Sequence, residues 1–150
     1  MPRPGGYLLD TNIVVALVRD NDLGKFVDQT YRLTSGTNSF LLSVVSVGEL
    51  YALAMKFGWG SQKQETLSKL ISTLPVVDIH DSTLLQAYGQ LDALSDKAGR
   101  KMGKNDVWIA ATAHVTNTTI LTTDKDFDYL YSLGQWIDRD WVDPGSKPKK

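Results

Sequence analysis

The chain has 150 residues, enough for one domain with a substantial core, and its 42% hydrophobic and 22% charged residues are ordinary for a soluble globular protein. The formal net charge is −1, so affinity for nucleic acid would have to come from a local patch or from bound cations. The absence of cysteine excludes disulfides, thiolate metal sites and thiol nucleophiles and suits a reducing cytoplasm, and no apolar stretch approaches the ~18 residues needed to span a bilayer.

"MPRPGG" (1–6) reads as a flexible lead-in without the apolar segment of a signal peptide. "YLLD" (7–10) reads as a short buried strand, and "NIVVALVRD" then shifts to helical spacing. A second amphipathic helix is expected over 23–33 ("LGKFVDQTYRL"), a β-rich run over 39–45 ("SFLLSVV") and a helix over 46–57 ("SVGELYALAMKF") closed by Gly58. Another helix follows over 61–74, stopped by Pro75, then a strand "VVDIH" (76–80) and a long helix over 81–99. The alanine-rich "NDVWIAATAHV" (105–115) reads as a helix and "TILT" (119–122) as a strand. "DKDFDYLYSL" (124–133) is expected to form a short helical turn, and "QWIDRDW" (135–141) is the last strand candidate. "DPGSKPKK" closes the chain as a loose basic tail, which leaves 7–141 as the expected domain and 142–150 as the tail. Strands alternating with helices imply an α/β fold whose parallel sheet is covered on both faces, with ligands at the carboxyl ends of the strands.

That edge collects acids. Asp10 closes the first strand, Glu49 lies early in the helix after the second, and Asp124 follows "TILT"; Asp106 joins them if its helix also starts there. Each has a local explanation. Ser46 and Glu49 have the spacing of a capping box, Asn105, Asp106 or Asp124 can cap a helix, and Asp10-Thr-Asn suits a strand-to-helix turn. Together these explanations weaken, because two carboxylates ~5 Å apart repel by roughly 3 kcal/mol at an effective dielectric of 20. Serine or threonine would cap those helices without that cost. Mg²⁺ or Mn²⁺ would remove the conflict, since both prefer hard oxygen ligands, and such an ion can activate water for phosphodiester hydrolysis.

The order "LLDTN", S-x-x-E before "LYALA", "NDVWIAATA" and "ILTTDKDF" resembles the PIN-domain ribonucleases, most of all the VapC-type toxins of toxin–antitoxin pairs. The resemblance covers roughly residues 7–140. It implies a three-layer α/β/α fold with a parallel sheet of about five strands in the order 3-2-1-4-5, and endonucleolytic RNA cleavage dependent on Mg²⁺ or Mn²⁺. It places the catalytic, metal-holding acids on Asp10, Glu49, Asp106 and Asp124, with Asp126 auxiliary and peripheral. It also implies a homodimer and a cognate VapB-type antitoxin, seated in a groove expected between the helices at 23–33 and 46–57.

Among supporting residues, Asn12 is the stronger candidate to orient Asp10 and Thr11 the weaker, each with helix capping as the alternative. Thr123 offers a hydroxyl beside Asp124. Lys97, Arg100, Lys101 and Lys104 precede Asp106 and form either a solvated surface or an RNA phosphate contact. His80 and His114 suit packing better than metal ligation. Trp108, Tyr51 and Phe127 are expected in the core or at its rim, Trp59 exposed, and Asp81 and Asp128 solvated or capping. Two other classes stay open: a phosphoacceptor receiver, for which Asp78 inside "VVDIH" and the missing late lysine are a poor match, and a catalytically silent binding module that keeps the PIN fold.

Overall fold

Three consecutive residues of the first strand, β1 (Tyr7–Leu9), serve both faces of a sheet. Leu8 points into one apolar cluster while Tyr7 and Leu9 point into the other, as the two-residue period of a strand requires. Neither leucine has exposed surface, and burying each stabilises the fold by about 2 kcal/mol. The computed structural model describes residues 1–150. After β1 come α1 (Thr11–Arg19), α2 (Asp22–Tyr31), β2 (Phe40–Ser43), α3 (Val44–Lys56), α4 (Ser61–Thr73), β3 (Val76–Val77), α5 (Ser82–Lys97), α6 (Lys104–Thr116), β4 (Thr119–Thr122), α7 (Asp128–Ser132) and β5 (Asp138–Trp141). All strand pairs are parallel and the order is β3-β2-β1-β4-β5. This is the α/β/α architecture and the strand order that the resemblance implied.

The two clusters fill the space between the sheet and the helical layer on either face. Ile13, Val14 and Val18 of α1, Val27 of α2, Leu50 of α3 and Leu67 of α4 pack against Tyr7, Leu9, Phe40 and Leu42. On the other face, Leu84 and Leu91 of α5, Val107 and Ile109 of α6, and Phe127 and Leu130 surround Leu8 and Ile120. Close approach of α1 and α2 depends on Gly24, where a Cβ would collide with the Ala16 carbonyl oxygen. Asn21 caps α2 by accepting a hydrogen bond from the Gly24 N–H at 2.9 Å.

Several boundaries differ from the sequence reading. β2 ends at Ser43, and Val44 and Val45 belong to α3 rather than to the strand. Ser43 is the cap, accepting from the Val45 N–H at 3.1 Å, so the Ser46–Glu49 capping box does not form. Ser46 is buried with its hydroxyl unpartnered, and Glu49 falls in the second helical turn. β3 keeps only two residues, because the Asp78 carboxylate accepts from the His80 N–H at 3.1 Å and turns the chain. Trp59, expected on the surface, is 6% exposed and packs in the α1–α4 cluster, while Tyr51 stands out at 51%. Asp81 does cap α5, accepting from the Leu84 N–H at 3.2 Å. In the segment expected to be loose, Val142 is buried, and the Gln29 amide both donates to the Lys149 carbonyl and accepts from its N–H, at 3.1 and 2.9 Å. No helix is long and apolar enough to cross a membrane.

Candidate active site

Parallel pairing of β1 with β4 sets Leu9 beside Leu121, so the next residues, Asp10 and Thr122, meet at the carboxyl edge of the sheet. The Asp10 N–H continues the ladder to the Leu121 carbonyl at 2.9 Å. Asp10 is 5% exposed. One carboxylate oxygen accepts from the Thr11 N–H at 2.8 Å and the other from the Thr122 hydroxyl at 2.7 Å. Thr122 Oγ1 in turn accepts from the Asp124 N–H at 2.9 Å. A single hydroxyl thus ties the acid after β1 to the acid after β4.

Asp124 continues the chain of contacts, accepting from the Asp126 N–H at 3.0 Å in a tight turn. Across from this turn, α6 begins at Gly103, which offers no side-chain cap, and Asp106 lies in its first turn. Carboxylate oxygens of Asp106, Asp124 and Asp126 lie within 4.8 Å of one another. Asp126 was expected at the periphery; it belongs to the group because the turn at Asp124 folds it back toward α6. Neither Asp106 nor Asn105 caps the helix, and Asp124 lies ahead of the Phe127 cap position of α7.

Glu49 and Asp10 stand outside that 4.8 Å group; Asp10 lies within the field of Asp124 and acts on Asp106, and Glu49 acts on Asp10. Glu49 reaches across from α3 and accepts from the Thr11 hydroxyl at 2.8 Å. Thr11, the weaker candidate from sequence, therefore binds two of the acids, through its N–H and its hydroxyl, while Asn12 lies exposed on α1. Thr123 contributes only its carbonyl, which accepts from Trp141 Nε1 at 3.0 Å; the hydroxyl that serves the acids is Thr122. Sequence reasoning missed Thr122. Its signal was available: once "YLLD" and "TILT" pair in parallel, each strand's last residue faces the other's.

Burial pushes the Asp10 carboxyl up to about 6, against the pull of the bonds from Thr122 and Thr11, and the charges of Asp124 and Glu49 add to the rise. Asp106 is pushed up to about 7, by burial first and then by Asp10, Asp124 and Asp126. Asp124 is raised by burial first and by the neighbouring Asp126 carboxylate, with the N–H groups of Asp126 and Lys125 opposing. No lysine or arginine forms an ion pair with these acids. The ion pairs of the chain, Lys69–Glu65, Lys104–Asp92 and Arg139–Asp128, lie elsewhere. Carboxylates at this spacing repel by about 3 kcal/mol per pair at an effective dielectric of 20. A set of hard, anionic oxygens from α6 and the turn after β4 fits Mg²⁺ or Mn²⁺ and is a poor fit to softer, imidazole-preferring metals. His114 is engaged elsewhere, its Nδ1 2.8 Å from the Trp136 carbonyl.

Of the four basic residues singled out, Arg100 and Lys101 line a depression that also includes Asp126. Lys104 is held 3.2 Å from both oxygens of Asp92, and Lys97, at the end of α5, does not line it. Lys125 does.

The model of the PIN domain matches residues 7–133. The chain belongs to the PIN domain family. Among curated relatives, "Ribonuclease VapC1" of Haemophilus influenzae strain R2866 is 29% identical over 140 residues, spanning 91% of this chain and 98% of the relative. "Ribonuclease VapC2" of Rickettsia felis is 29% identical over 131 residues, spanning 85% and 93%. Solved structures share the PIN fold. VapBC2 from Rickettsia felis bound to a promoter DNA fragment matches with a TM-score of 0.76 at 24% identity, over 91% of this chain and 98% of that one. DNA-bound VapBC from Salmonella typhimurium matches at 0.74 and 20%, over 90% and 96%. The PIN assignment makes the carboxyl edge of the sheet, where the acids gather, the region to examine for chemistry.

Proposed function

We propose that this PIN-domain chain is a divalent-metal-dependent endoribonuclease, the toxin of a VapBC-type pair acting in the cytoplasm, with residues 7–141 as the working unit. The observation that carries the reading is the group of Asp106, Asp124 and Asp126 oxygens within 4.8 Å, close enough to buried Asp10 for its charge to act on Asp106, with no lysine or arginine in ion-pair contact with any of them. The names of the curated relatives supply the substrate class.

In this reading Asp106, Asp124 and Asp126 hold Mg²⁺ or Mn²⁺ directly. Asp10 has spent two acceptor sites on Thr11 and Thr122, and its remaining lone pairs complete the anionic floor. Glu49 adds charge from α3 and is oriented by Thr11. A bound ion would activate a water and steady the leaving oxygen of the phosphodiester. Thr122 keeps the two sides of the site in register through its bonds to Asp10 and Asp124.

The antitoxin partner also has a candidate seat, though not between α2 and α3. A groove of about 580 Å³ runs between the α1–α2 corner, β2 and α4, walled by Leu17, Leu33, Leu70 and Leu74 and rimmed by Asp20 and Asp28. An amphipathic antitoxin segment carrying basic residues matches that wall and rim. The exposed stripe of Val44, Tyr51 and Met55 on α3 suits a second copy of the chain.

Incubation with structured RNA in Mg²⁺ or Mn²⁺, beside EDTA and an Asp106→Asn variant, tests the activity. Cleavage that requires both the metal and Asp106 is expected. Cleavage that persists in EDTA, or in the variant at the original rate, refutes the assignment. A protein that binds RNA but never cuts it would be the silent module.

A further inference from the structure

The depression beside Asp126 has a volume of about 480 Å³, and its lining sets the basic residues Arg100, Lys101 and Lys125 and the ring of Tyr129 against two acids, Asp126 and Asp128. Arg100 and Lys101 come from the segment between α5 and α6, Lys125 from the turn after β4, and Tyr129 from α7. The Arg100 guanidinium lies over the Tyr129 ring, 5.7 Å from its centre. Lys125 is poised similarly, its ammonium 4.8 Å from the centre of the Trp141 ring. None of the three cations forms an ion pair with an acid; the lysines and arginine that do are Lys69, Lys104 and Arg139. Asp128, on the same wall, is answered by Arg139 at 3.0 Å. The volume lies in the range of pockets that take small ligands.

A guanidinium held over a phenol ring forms with it a cationic, π-rich surface layer against which a planar base can stack. Lysines flanking such a face suit phosphate oxygens. Both features sit on the side of the acids marked by Asp126. We propose that this depression seats one unpaired nucleotide next to the scissile phosphate, its base stacked on the Arg100–Tyr129 layer and its phosphates held by Lys101 and Lys125. The inference rests on the ribonuclease reading and adds to it a structural demand on the substrate. A base can reach this layer only when it is turned out of a helix, so the nucleotide beside the cut must be unpaired. Lys97 and Lys104 have no part in the subsite.

The test is binding of the full chain to fluorescein-labelled short oligoadenylate in EDTA, read by anisotropy, so that no cleavage enters the measurement. Three ligands are compared: the single strand, its duplex with oligouridylate, and an abasic oligomer of the same length. Tyr129→Leu is expected to weaken the single strand by about tenfold, and Tyr129→Phe, which keeps the ring, to stay within about twofold of the original. Lys125→Gln should weaken the single strand and the abasic oligomer alike and lower the salt slope by about 0.7. Arg100→Gln, an exposed change that leaves folding untouched, carries the same expectation as Tyr129→Leu. Duplex or abasic oligomer bound as tightly as the single strand, or binding unmoved by both Tyr129→Leu and Arg100→Gln, overturns the subsite. Metal-dependent cleavage with such unmoved binding would leave the nuclease standing without it. Stacking-dependent binding without any cleavage would remove the nuclease and leave a single-strand binding site.

Discussion

Replacing Asp10 by asparagine should make the metal-free protein more stable. Raising the Asp10 carboxyl from 3.8 to about 6 means that ionising it in the folded apo protein costs about 3 kcal/mol more than in the unfolded chain. Because the folded state holds this proton more tightly, the cost is absent below about pH 4, grows as pH rises toward 6, and is complete above that. Asparagine removes the charge and still accepts from the Thr11 N–H, but its amide group faces the Thr122 hydroxyl, which must redirect its proton at a cost of about 1 kcal/mol. The net gain at pH 8 is about 2 kcal/mol, or roughly 4–8 °C in Tm for a chain of this size. Thermal unfolding followed by circular dichroism in EDTA, at pH 8 and pH 4.5, measures it. The gain should shrink to nothing or change sign at pH 4.5, where Asp10 is protonated in the original chain. An apo Asp10→Asn protein that melts several degrees lower at pH 8 would show Asp10 to be a structural aspartate and would refute the reasoning.

Two further substitutions separate positioning from folding. Thr122→Val strips Asp10 of one donor and the Asp124 N–H of its acceptor, so RNA cleavage and Mn²⁺ affinity should fall by about 10–100-fold, with Thr122→Ser restoring both. A valine variant that binds Mn²⁺ and cleaves normally would show the hydroxyl to be dispensable. Glu49→Gln keeps an oxygen for the Thr11 hydroxyl, so stability should change by less than about 0.5 kcal/mol while cleavage falls by about tenfold or more. An unchanged cleavage rate would assign Glu49 to the packing of α3 against α1.

How much of this was legible in the sequence depends on the range of the interaction concerned. The short apolar run Tyr7-Leu8-Leu9 and the apolar spacing of α1 and α5 are local patterns, and the elements they specify stand where expected. Asp10, Glu49, Asp106 and Asp124 were singled out because strand-to-helix turns and the PIN resemblance place acids at one edge; the close group in the structure joins Asp106 and Asp124 with Asp126. Boundaries decided by tertiary contact were not legible. α3 starts at Val44 because Ser43 is the corner residue, although the Ser46–Glu49 spacing offered an equally good local cap. Trp59 lies between two glycines, a local signature of an exposed loop, yet the return of the chain from α3 into α4 buries it. Thr122 and Thr123 are neighbours of identical chemistry. Only the pleat of β4 against β1 decides which hydroxyl reaches Asp10. Asp126 was undervalued because its position depends on a turn held by Asp124 itself.

Direct titration with Mn²⁺ at neutral pH, followed by electron paramagnetic resonance, tests without reference to any substrate whether Asp106, Asp124 and Asp126 hold a divalent ion. The original chain should bind Mn²⁺, in competition with Mg²⁺, and the combined Asp106→Asn and Asp124→Asn variant should lose that affinity by about 100-fold or more. Mn²⁺ that binds both proteins equally, or binds neither at millimolar concentration, would contradict the account.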